Sequence, residues 1–255
     1  MATTNHPSIN LLAGKVAVIT GGGRGIGRVT AKVFAREGAK VLIADISGEE
    51  KDAAAEIGAA AVPFHVDVTR EDQVEAMFAA AVKAFGRVDA SVHLAGLSGV
   101  RRGEELTVQE YDDLMNSHLR GMLLCSKHAA RTMAATGGGA IVNFSSVGSL
   151  GGDELVSPVY AAAKAGINSI TKAFAFHYGR QGIRANAVAP GFTLSEKNLA
   201  TAPEVQAFLN GKAALGRAGA PEEQAQAAAF LCSDRASFVT GVILPVDGAW
   251  SAKLA

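Results

Sequence analysis

Residues 15–34 read KVAVITGGGRGIGRVTAKVF, a short apolar run followed by a glycine-rich turn and an amphipathic pattern. The run Val16–Thr20 predicts a buried strand, and the pattern after the glycines predicts a helix. Glycines between a strand and a helix let the backbone approach a phosphate group, and the helix N-terminus favours a pyrophosphate there. We predict a dinucleotide-binding turn whose contact residues are Gly21, Gly23, Arg24, Gly25, Ile26 and Gly27.

The rest of the chain alternates short β-branched runs with longer helical patterns. This alternation is typical of βαβ units and of a parallel sheet covered by helices on both faces. We predict an α/β fold, a Rossmann-like doubly wound parallel sheet of about seven strands, with residues 1–255 forming a single domain. The predicted strands are Val16–Thr20, Lys40–Ala44, Val62–Val66, Val88–Leu94, Ala140–Phe144, Ile183–Val188 and Val242–Val246.

Two segments fall outside this alternation. Residues 1–14 lack a basic region followed by an apolar run, so we interpret them as a short N-terminal tail rather than a secretion signal. Residues 191–216 lie between the sixth strand and the last helix, and an irregular insertion of that length is usually a lid or a binding loop. We expect residues 191–216 to be a substrate-binding lid within the domain.

The composition argues against several classes of partner. Lysine plus arginine equals aspartate plus glutamate at 24 each, so no long-range field favours a nucleic-acid backbone or a membrane surface. Cys125 and Cys232 each fall in a helical apolar pattern and are interpreted as buried side chains rather than as a disulfide or metal ligands. We expect a cytoplasmic protein that binds neither nucleic acid, membrane nor metal.

Asp45 closes the second predicted strand. A carboxylate there can accept hydrogen bonds from both hydroxyls of an adenosine ribose, and it would repel the 2′-phosphate of NADP. The alternative role for Asp45, capping the next helix, is better filled by Ser47. Arg24 argues for NADP, because a guanidinium in the glycine loop could pair with a 2′-phosphate. We give Asp45 more weight and predict NAD as the cofactor.

Tyr160 and Lys164 stand four residues apart in YAAAK, so they share one face of a predicted helix. An ammonium about 4 Å from a phenol contributes on the order of 4 kcal/mol at an effective dielectric constant near 20, equivalent to roughly 3 pKa units. Tyr160 could then exchange a proton near neutral pH. The spacing alone equally allows an ordinary exposed tyrosine beside a solvated lysine.

Several motifs in this order resemble the short-chain dehydrogenase/reductase family over the whole chain: TGGGRGIG at 20–27, Asp67-Val68, Ser146, YAAAK, Pro190-Gly191 and VDG at 246–248. The resemblance implies that Tyr160 is the general acid and base. It implies that Lys164 lowers the tyrosine pKa and binds the nicotinamide ribose. Ser146 would hydrogen-bond the substrate oxygen, and its neighbour Ser145 is the structural alternative.

The same resemblance implies further cofactor contacts. Asp67 would bind the adenine amino group with Val68 beside the ring, and Gly96, which follows Ala95, would pack near the adenosine ribose. Val188 and the Pro190-Gly191 pair would lie along the nicotinamide, with Thr193 or Ser195 reaching its carboxamide or the phosphates. The residues expected at the cofactor, besides the glycine turn and Asp45, are Asp67, Val68, Ala95, Gly96, Tyr160, Lys164, Pro190, Gly191 and Thr193.

The sequence departs from the family at two histidines. His93 and Leu94 replace two asparagines whose amides tie the fourth strand to its neighbours. When Tyr111 is aligned with the family's aromatic residue, His118 replaces the asparagine that is the fourth catalytic residue. We predict that His118 takes part in catalysis and titrates near neutrality. A histidine without a part in proton transfer, and a locally slipped alignment, are the alternatives. Asn116 is too far around the helix to substitute.

The predicted function is NAD-dependent interconversion of a secondary alcohol and a ketone. The alternatives are a catalytically impaired NAD-binding regulator and an epimerase or dehydratase variant of the fold. Arg101 and Arg102 could receive a substrate carboxylate, although exposed arginines are usually just solvated. The apolar faces of residues 128–135 and 161–176 predict a homotetramer or homodimer. The expected lining of the small-molecule pocket is Leu97, Ser98, residues 147–156, Phe192, Leu194 and the lid.

Overall fold

The computed structural model describes residues 8–97, 103–152 and 156–252. Its sheet has seven parallel strands in the order β3-β2-β1-β4-β5-β6-β7, which confirms the predicted α/β class. The order reverses between β1 and β4, as expected for a doubly wound sheet. The strands are β1 Val16–Thr20, β2 Lys40–Asp45, β3 Ala61–His65, β4 Ala90–His93, β5 Gly139–Phe144, β6 Ile183–Pro190 and β7 Ile243–Val246.

Helices cover both faces of the sheet. One core contains buried residues of β1, β2, α1 and α9. The other contains buried residues of α3, α5 and the last turn of α6. Helix α3 packs against the sheet through four buried apolar residues, Val74, Met77, Phe78 and Ala81. The helices are α1 Gly25–Arg36, α2 Glu50–Ile57, α3 Glu71–Phe85, α4 Val108–Met115, α5 Gly121–Ala134, α6 Pro158–Tyr178, α7 Glu196–Leu199, α8 Pro203–Lys212 and α9 Pro221–Cys232.

Strand ends differ from the prediction by one or two residues. β4 begins at Ala90 rather than Val88, and β6 continues to Pro190, which lies opposite Val246 of β7. Both edge strands carry an exposed proline, Pro63 in β3 and Pro245 in β7. Proline is tolerated at a sheet edge because its missing N–H is not needed by a neighbouring strand.

His93 on β4 makes hydrogen bonds to the neighbouring strand, as the asparagine amides of the family would. Its Nδ1 lies 2.8 Å from Asn143 Oδ1 on β5, and its Nε2 lies 2.7 Å from Ser91 Oγ. Asn143 in turn donates to Thr171 on α6 over 2.9 Å. Burial lowers the pKa of His93 to about 4, so the imidazole is neutral in this network.

The described part of the N-terminal tail packs onto the domain. Leu12 is fully buried, and the Glu37 carboxylate accepts hydrogen bonds from the backbone of Ile9 and Leu11. Cys125 and Cys232 are buried and free, as predicted, and burial raises the pKa of each thiol to about 12. Within the three described ranges, no helix is both long and apolar enough to cross a membrane.

Candidate active site

The predicted site residues meet at the carboxyl edge of the sheet, around the point where the strand order reverses. Gly21 follows β1, Asp45 ends β2, Ala95 comes two residues after β4, Ser146 comes two residues after β5, and Gly191 follows β6. Carboxyl ends of parallel strands share one edge, so these five separate segments of the sequence form one crevice.

The glycine turn is packed too tightly for side chains. A Cβ on Gly27 would lie 1.9 Å from the Gly21 carbonyl oxygen, and a Cβ on Gly21 would lie 2.7 Å from the Ala95 nitrogen. Gly21 and Gly25 also have positive φ angles of 69° and 55°. The turn therefore presents bare backbone to the crevice, as predicted.

Helix α1 begins at this turn with free N–H groups. Its N-cap, Arg24, makes no side-chain capping bond, and the first turn contains no acidic residue. A Cβ on Gly25 would have a single neighbour within 4 Å among the described residues, Ser195 at 3.8 Å. Open space in front of uncapped N–H groups fits an anionic group such as a dinucleotide pyrophosphate.

Asp45 is buried and holds the turn. Its Oδ2 accepts the Gly23 N–H over 2.9 Å, and its Oδ1 accepts the Ser47 N–H over 3.0 Å. Ser47 in turn accepts the Glu49 N–H over 3.3 Å, one residue before α2 begins. The Asp45 carboxylate thus holds the backbone of the glycine turn and of Ser47, a role that the sequence did not reveal. Each of its oxygens keeps one lone pair for a ligand hydroxyl.

Asp67 and Val68 lie beyond β3 on the same edge. Asp67 Oδ1 accepts the N–H of Thr69 over 2.9 Å and its hydroxyl over 2.8 Å. Val68 is buried, and a Cβ on Gly121 would lie 2.7 Å from its Cγ2. The expected adenine contacts are thus held at fixed positions in the crevice wall.

Pro190, Gly191 and Thr193 lead from β6 into residues 191–216, the segment expected to be a lid. Thr193 is buried, and its hydroxyl donates to the Gly191 carbonyl over 3.2 Å. Gln224 of α9 donates to Thr193 Oγ1 over 3.4 Å and to the Val246 carbonyl over 2.9 Å. This segment is therefore tied to β7 and α9, whereas residues 196–212 form the short helices α7 and α8.

Ser146 and Ser145 have different surroundings. The Ser146 hydroxyl is hydrogen-bonded to Tyr160 and accepts the Gly148 N–H over 3.2 Å. The Ser145 hydroxyl points to the Lys164 carbonyl, 3.2 Å away, and to Ser149 Oγ, 3.0 Å away. Ser146 faces the tyrosine, and Ser145 secures the strand to α6.

Tyr160 and Lys164 lie one turn apart on α6, and the Lys164 Nζ is 5.5 Å from the centre of the tyrosine ring. Lys164 is 6% exposed and donates to the Phe144 carbonyl at the end of β5 over 2.8 Å. The helix and the strand end therefore place the ammonium beside the phenol, and the alternative of a solvated lysine is wrong.

The pKa of Tyr160 moves opposite to the prediction from charge. Burial raises it, and the hydrogen bond from Ser146 opposes only part of that rise. Burial also lowers the pKa of Lys164 to about 7, so the ammonium is only partly charged at neutral pH. The charge argument assumed a fully charged lysine beside the phenol, and it neglected the cost of a buried phenolate.

His118 lies in the site, on a π-helical turn, Asn116–Arg120, between α4 and α5. Its ring is perpendicular to that of Tyr160, with the centres 5.3 Å apart. Its Nε2 donates to the Leu97 carbonyl over 2.7 Å, and its buried Nδ1 has no partner among the described residues. A Cβ on Gly96 would lie 2.2 Å from the ring. The imidazole therefore links the segment after β4 to the tyrosine.

The prediction that His118 titrates near neutrality is wrong. Burial and, to a smaller extent, the charge of Lys164 lower its pKa to about 3, against a weaker opposing contribution from the Leu97 hydrogen bond. Above that pH the ring is neutral, and the bond to Leu97 fixes the proton on Nε2.

Apolar side chains border the crevice where the substrate is expected. Leu97 and Leu150 are exposed, and Val147, Phe192 and Leu194 are half-buried. Ser98, Arg101, Arg102 and residues 153–155, which were also expected here, lie outside the described residues.

Comparison with known proteins identifies the family. A family model described as enoyl-(acyl carrier protein) reductase matches residues 21–251. The chain is 41% identical to a probable short-chain type dehydrogenase/reductase of Bradyrhizobium diazoefficiens, over 92% of this chain and 86% of that protein. The chain belongs to the short-chain dehydrogenase/reductase family.

Two further family members have assigned activities. The cis-4-hydroxycyclohexanecarboxylate dehydrogenase of Sinomonas cyclohexanicum is 42% identical over 245 residues, which cover 94% of this chain and 98% of that protein. The NAD-dependent glycerol dehydrogenase of Listeria innocua is 36% identical over 94% of both chains. This short-chain dehydrogenase/reductase is an oxidoreductase.

Sequence reasoning missed three residues that support the site. Asn168 donates to Ser149 Oγ over 2.8 Å, and Ser149 donates to the Ser146 carbonyl over 2.6 Å. Asn168 follows Tyr160 and Lys164 at intervals of four, so helical spacing could have found it. Gln224, which holds Thr193, gave no such signal, because that contact joins distant segments.

Proposed function

We propose that the chain catalyses the NAD-dependent interconversion of a secondary alcohol and a ketone, with Tyr160 as general acid and base. The observation that carries the proposal is the placement of the tyrosine hydroxyl, which is hydrogen-bonded to Ser146 and flanked by Lys164 at the crevice. The chain is an oxidoreductase that interconverts an alcohol and a ketone, the reaction class of its dehydrogenase relatives.

The cofactor half of the crevice suits a dinucleotide. The bare backbone of the glycine turn and the uncapped start of α1 would hold the pyrophosphate. Asp45 would accept the ribose hydroxyls, Asp67 and Val68 would face the adenine, and the segment from Pro190 to Thr193 would hold the nicotinamide. Arg24 lies 3.5 Å from Glu49, so its charge is already matched, which supports NAD over NADP.

NAD, when bound, supplies the carbon that takes a hydride from the alcohol carbon. The Ser146 hydroxyl would hold the substrate oxygen, and Tyr160 Oη would take the hydroxyl proton during oxidation and return it during reduction. Lys164, anchored on the Phe144 carbonyl, would stabilise the phenolate and bind the nicotinamide ribose. Because burial raises the Tyr160 pKa, its base form is scarce at neutral pH, and alcohol oxidation should accelerate as the pH rises.

We assign His118 a positioning role within the catalytic group. Its bond to Leu97 fixes the wall of the crevice, and its edge-on contact restricts the Tyr160 ring. The unpartnered Nδ1 offers a lone pair but no proton, so the ring can accept a hydrogen bond.

The substrate is proposed to be a small, mostly apolar alcohol or ketone. Leu97, Leu150 and Phe192 border the crevice, and the exposed Leu199 and Phe208 belong to the two lid helices. A relative that acts on a hydroxycyclohexane ring supports a cyclic secondary alcohol as the first candidate. The lid, residues 191–216, would cover it.

The chain is also proposed to form a homotetramer or a homodimer. In residues 128–135, Ala129, Ala130 and Met133 are buried and the last two alanines are exposed. Helix α6 leaves a row of small residues and Phe176 exposed. Phe176 is 86% exposed, which is unusual for a phenylalanine on a long helix.

The proposal is tested by mixing purified protein with NAD and a panel of cyclic and open-chain secondary alcohols, and following NADH absorbance. Tyr160→Phe is the matched control, because it removes one hydroxyl and keeps the ring. We expect the variant to bind NADH and to lose about 10²–10⁴-fold in turnover. Turnover near wild type in Tyr160→Phe would remove the tyrosine from the mechanism.

A further inference from the structure

The rim of the glycine turn carries charges of both signs close together. Arg24 follows Gly23 in the turn, and the Nη1 of its side chain lies 3.5 Å from Oε1 of Glu49. A Cβ on Gly23 would lie 3.0 Å from Asp45 Oδ2 and 3.1 Å from Glu49 Cβ. Two carboxylates therefore flank the backbone from which the guanidinium extends.

These two carboxylates differ in how firmly they are held. Asp45 is 9% exposed, and backbone N–H groups occupy one lone pair on each of its oxygens. The Glu49 side chain is 40% exposed and that of Arg24 is 64% exposed, and their ion pair is the contact that connects them. The ion pair with Glu49 is therefore the contact that a substitution at Glu49 would release, whereas Asp45 stays fixed by the backbone.

The neighbouring cations of α1 are also matched by α2. Arg28 Nη2 lies 2.5 Å from Glu56 Oε1, and Lys32 Nζ lies 2.7 Å from Glu56 Oε2. Glu56 binds both of these cations, and Arg28 also donates to the Gly23 carbonyl over 3.4 Å. Arg24 is consequently the cation at the tip of the turn, and Glu49 is the carboxylate that holds it.

We propose that Glu49 determines the preference for NAD over NADP by holding Arg24. This inference rests on the proposed cofactor. A 2′-phosphate beside Asp45 needs a cation to neutralise it, and Arg24 reaches the same rim. The Glu49 carboxylate binds that cation and adds a second negative charge next to Asp45. Glu49→Gln removes the charge, keeps the shape and releases the guanidinium.

The test is a double-mutant cycle on cofactor binding, read from nicotinamide fluorescence rather than from turnover. Dissociation constants for NADH and NADPH are measured for wild type, Glu49→Gln, Arg24→Ala and the double variant. We expect Glu49→Gln to tighten NADPH binding about tenfold, because one charge-assisted hydrogen bond is gained. NADH binding should stay within about twofold, and the NADPH gain should fall below about threefold when Arg24 is absent.

Asp52→Asn is the matched control, because it removes a carboxylate from the same helix at a position that acts on Arg28 instead. Unchanged NADPH affinity in Glu49→Gln would overturn the inference. So would an equal gain in Asp52→Asn, or the full gain without Arg24, because each indicates net charge rather than release of Arg24. A wild-type protein that binds no NADH would overturn the proposed cofactor, and this inference with it.

Discussion

The two nitrogen atoms of His118 have different surroundings. One donates to Leu97, and the other is buried without a partner among the described residues. A pKa of about 3 lies below its ordinary value of 6.5, so the ring stays neutral as the pH falls from neutrality toward about 5. Protonation of His118 cannot slow the enzyme in that range.

We therefore expect His118→Asn to lower kcat/KM about tenfold through the lost Leu97 bond and ring contact, without changing the shape of the pH–rate curve. Rates are measured from neutrality to about pH 5 with wild type and variant side by side. An acid limb in wild type that disappears in His118→Asn would show that the ring titrates near neutrality after all.

At the scale of elements, the end of β5 and helix α6 are joined by a short hydrogen-bond chain. Ser145 contacts the Lys164 carbonyl, and Ser149 connects Asn168 to the backbone of Ser146. The two adjacent serines therefore have different roles. Ser145 makes the contact between the strand and the helix, and Ser146 faces Tyr160.

Ser146→Ala should lower kcat about 10²-fold, because it removes a hydrogen bond to the reacting oxygen. It should also cost about 1 kcal/mol of stability, because the Gly148 N–H loses its acceptor. Ser145→Ala is the matched comparison, and it should cost about 1 kcal/mol of stability while keeping most of the activity. Steady-state kinetics and urea unfolding of both variants provide the measurement. Equal loss of activity in the two variants would contradict the division of roles.

Sequence patterns predicted the elements well and the electrostatics of the site poorly. Strands and the glycine turn follow from local periodicity, so Val16–Thr20 was predicted to the residue. The shifted pKa values of Tyr160, Lys164 and His118 depend on burial by distant segments, which no local pattern contains. The π-helical turn at Asn116–Arg120 likewise had no sequence signal that we used.

At the scale of the whole molecule, the buried imidazole of His93 couples folding to pH. Its pKa is about 4 in the folded chain and near 6.5 when solvated, so between these values the unfolded chain binds a proton that the folded chain does not. The contribution of neutral His93 to the free energy of unfolding is fully present above pH 6.5. It is lost as the pH falls toward about 4, and the loss is on the order of 3 kcal/mol.

His93→Asn should lower stability at neutral pH but flatten its decline toward acid. Urea unfolding at a series of pH values measures the slope of the free energy of unfolding against pH. His118 should still contribute to that slope, because it is also buried and neutral. An unchanged slope in the variant would mean that the pKa of His93 is the same in the folded and the unfolded chain.

The proposed homotetramer or homodimer depends on the exposed apolar face of α6. Light scattering at micromolar concentration should return a mass above that of one chain, and Phe176→Asp on α6 should reduce it, because a charge would enter an apolar contact. Val108→Asp on α4 is the matched control, since Val108 is 77% exposed and lies on another helix. A monomeric wild type would contradict the proposal.

The prolines at the two sheet edges also affect how prone the chain is to aggregate while it is being synthesised and folded. Pro63 and Pro245 each remove one N–H from the outermost strands, so neither edge offers a complete row of donors to a strand from another molecule. A nascent copy whose outer helices have not yet docked exposes those edges first. We expect it to be protected from β-aggregation at both of them.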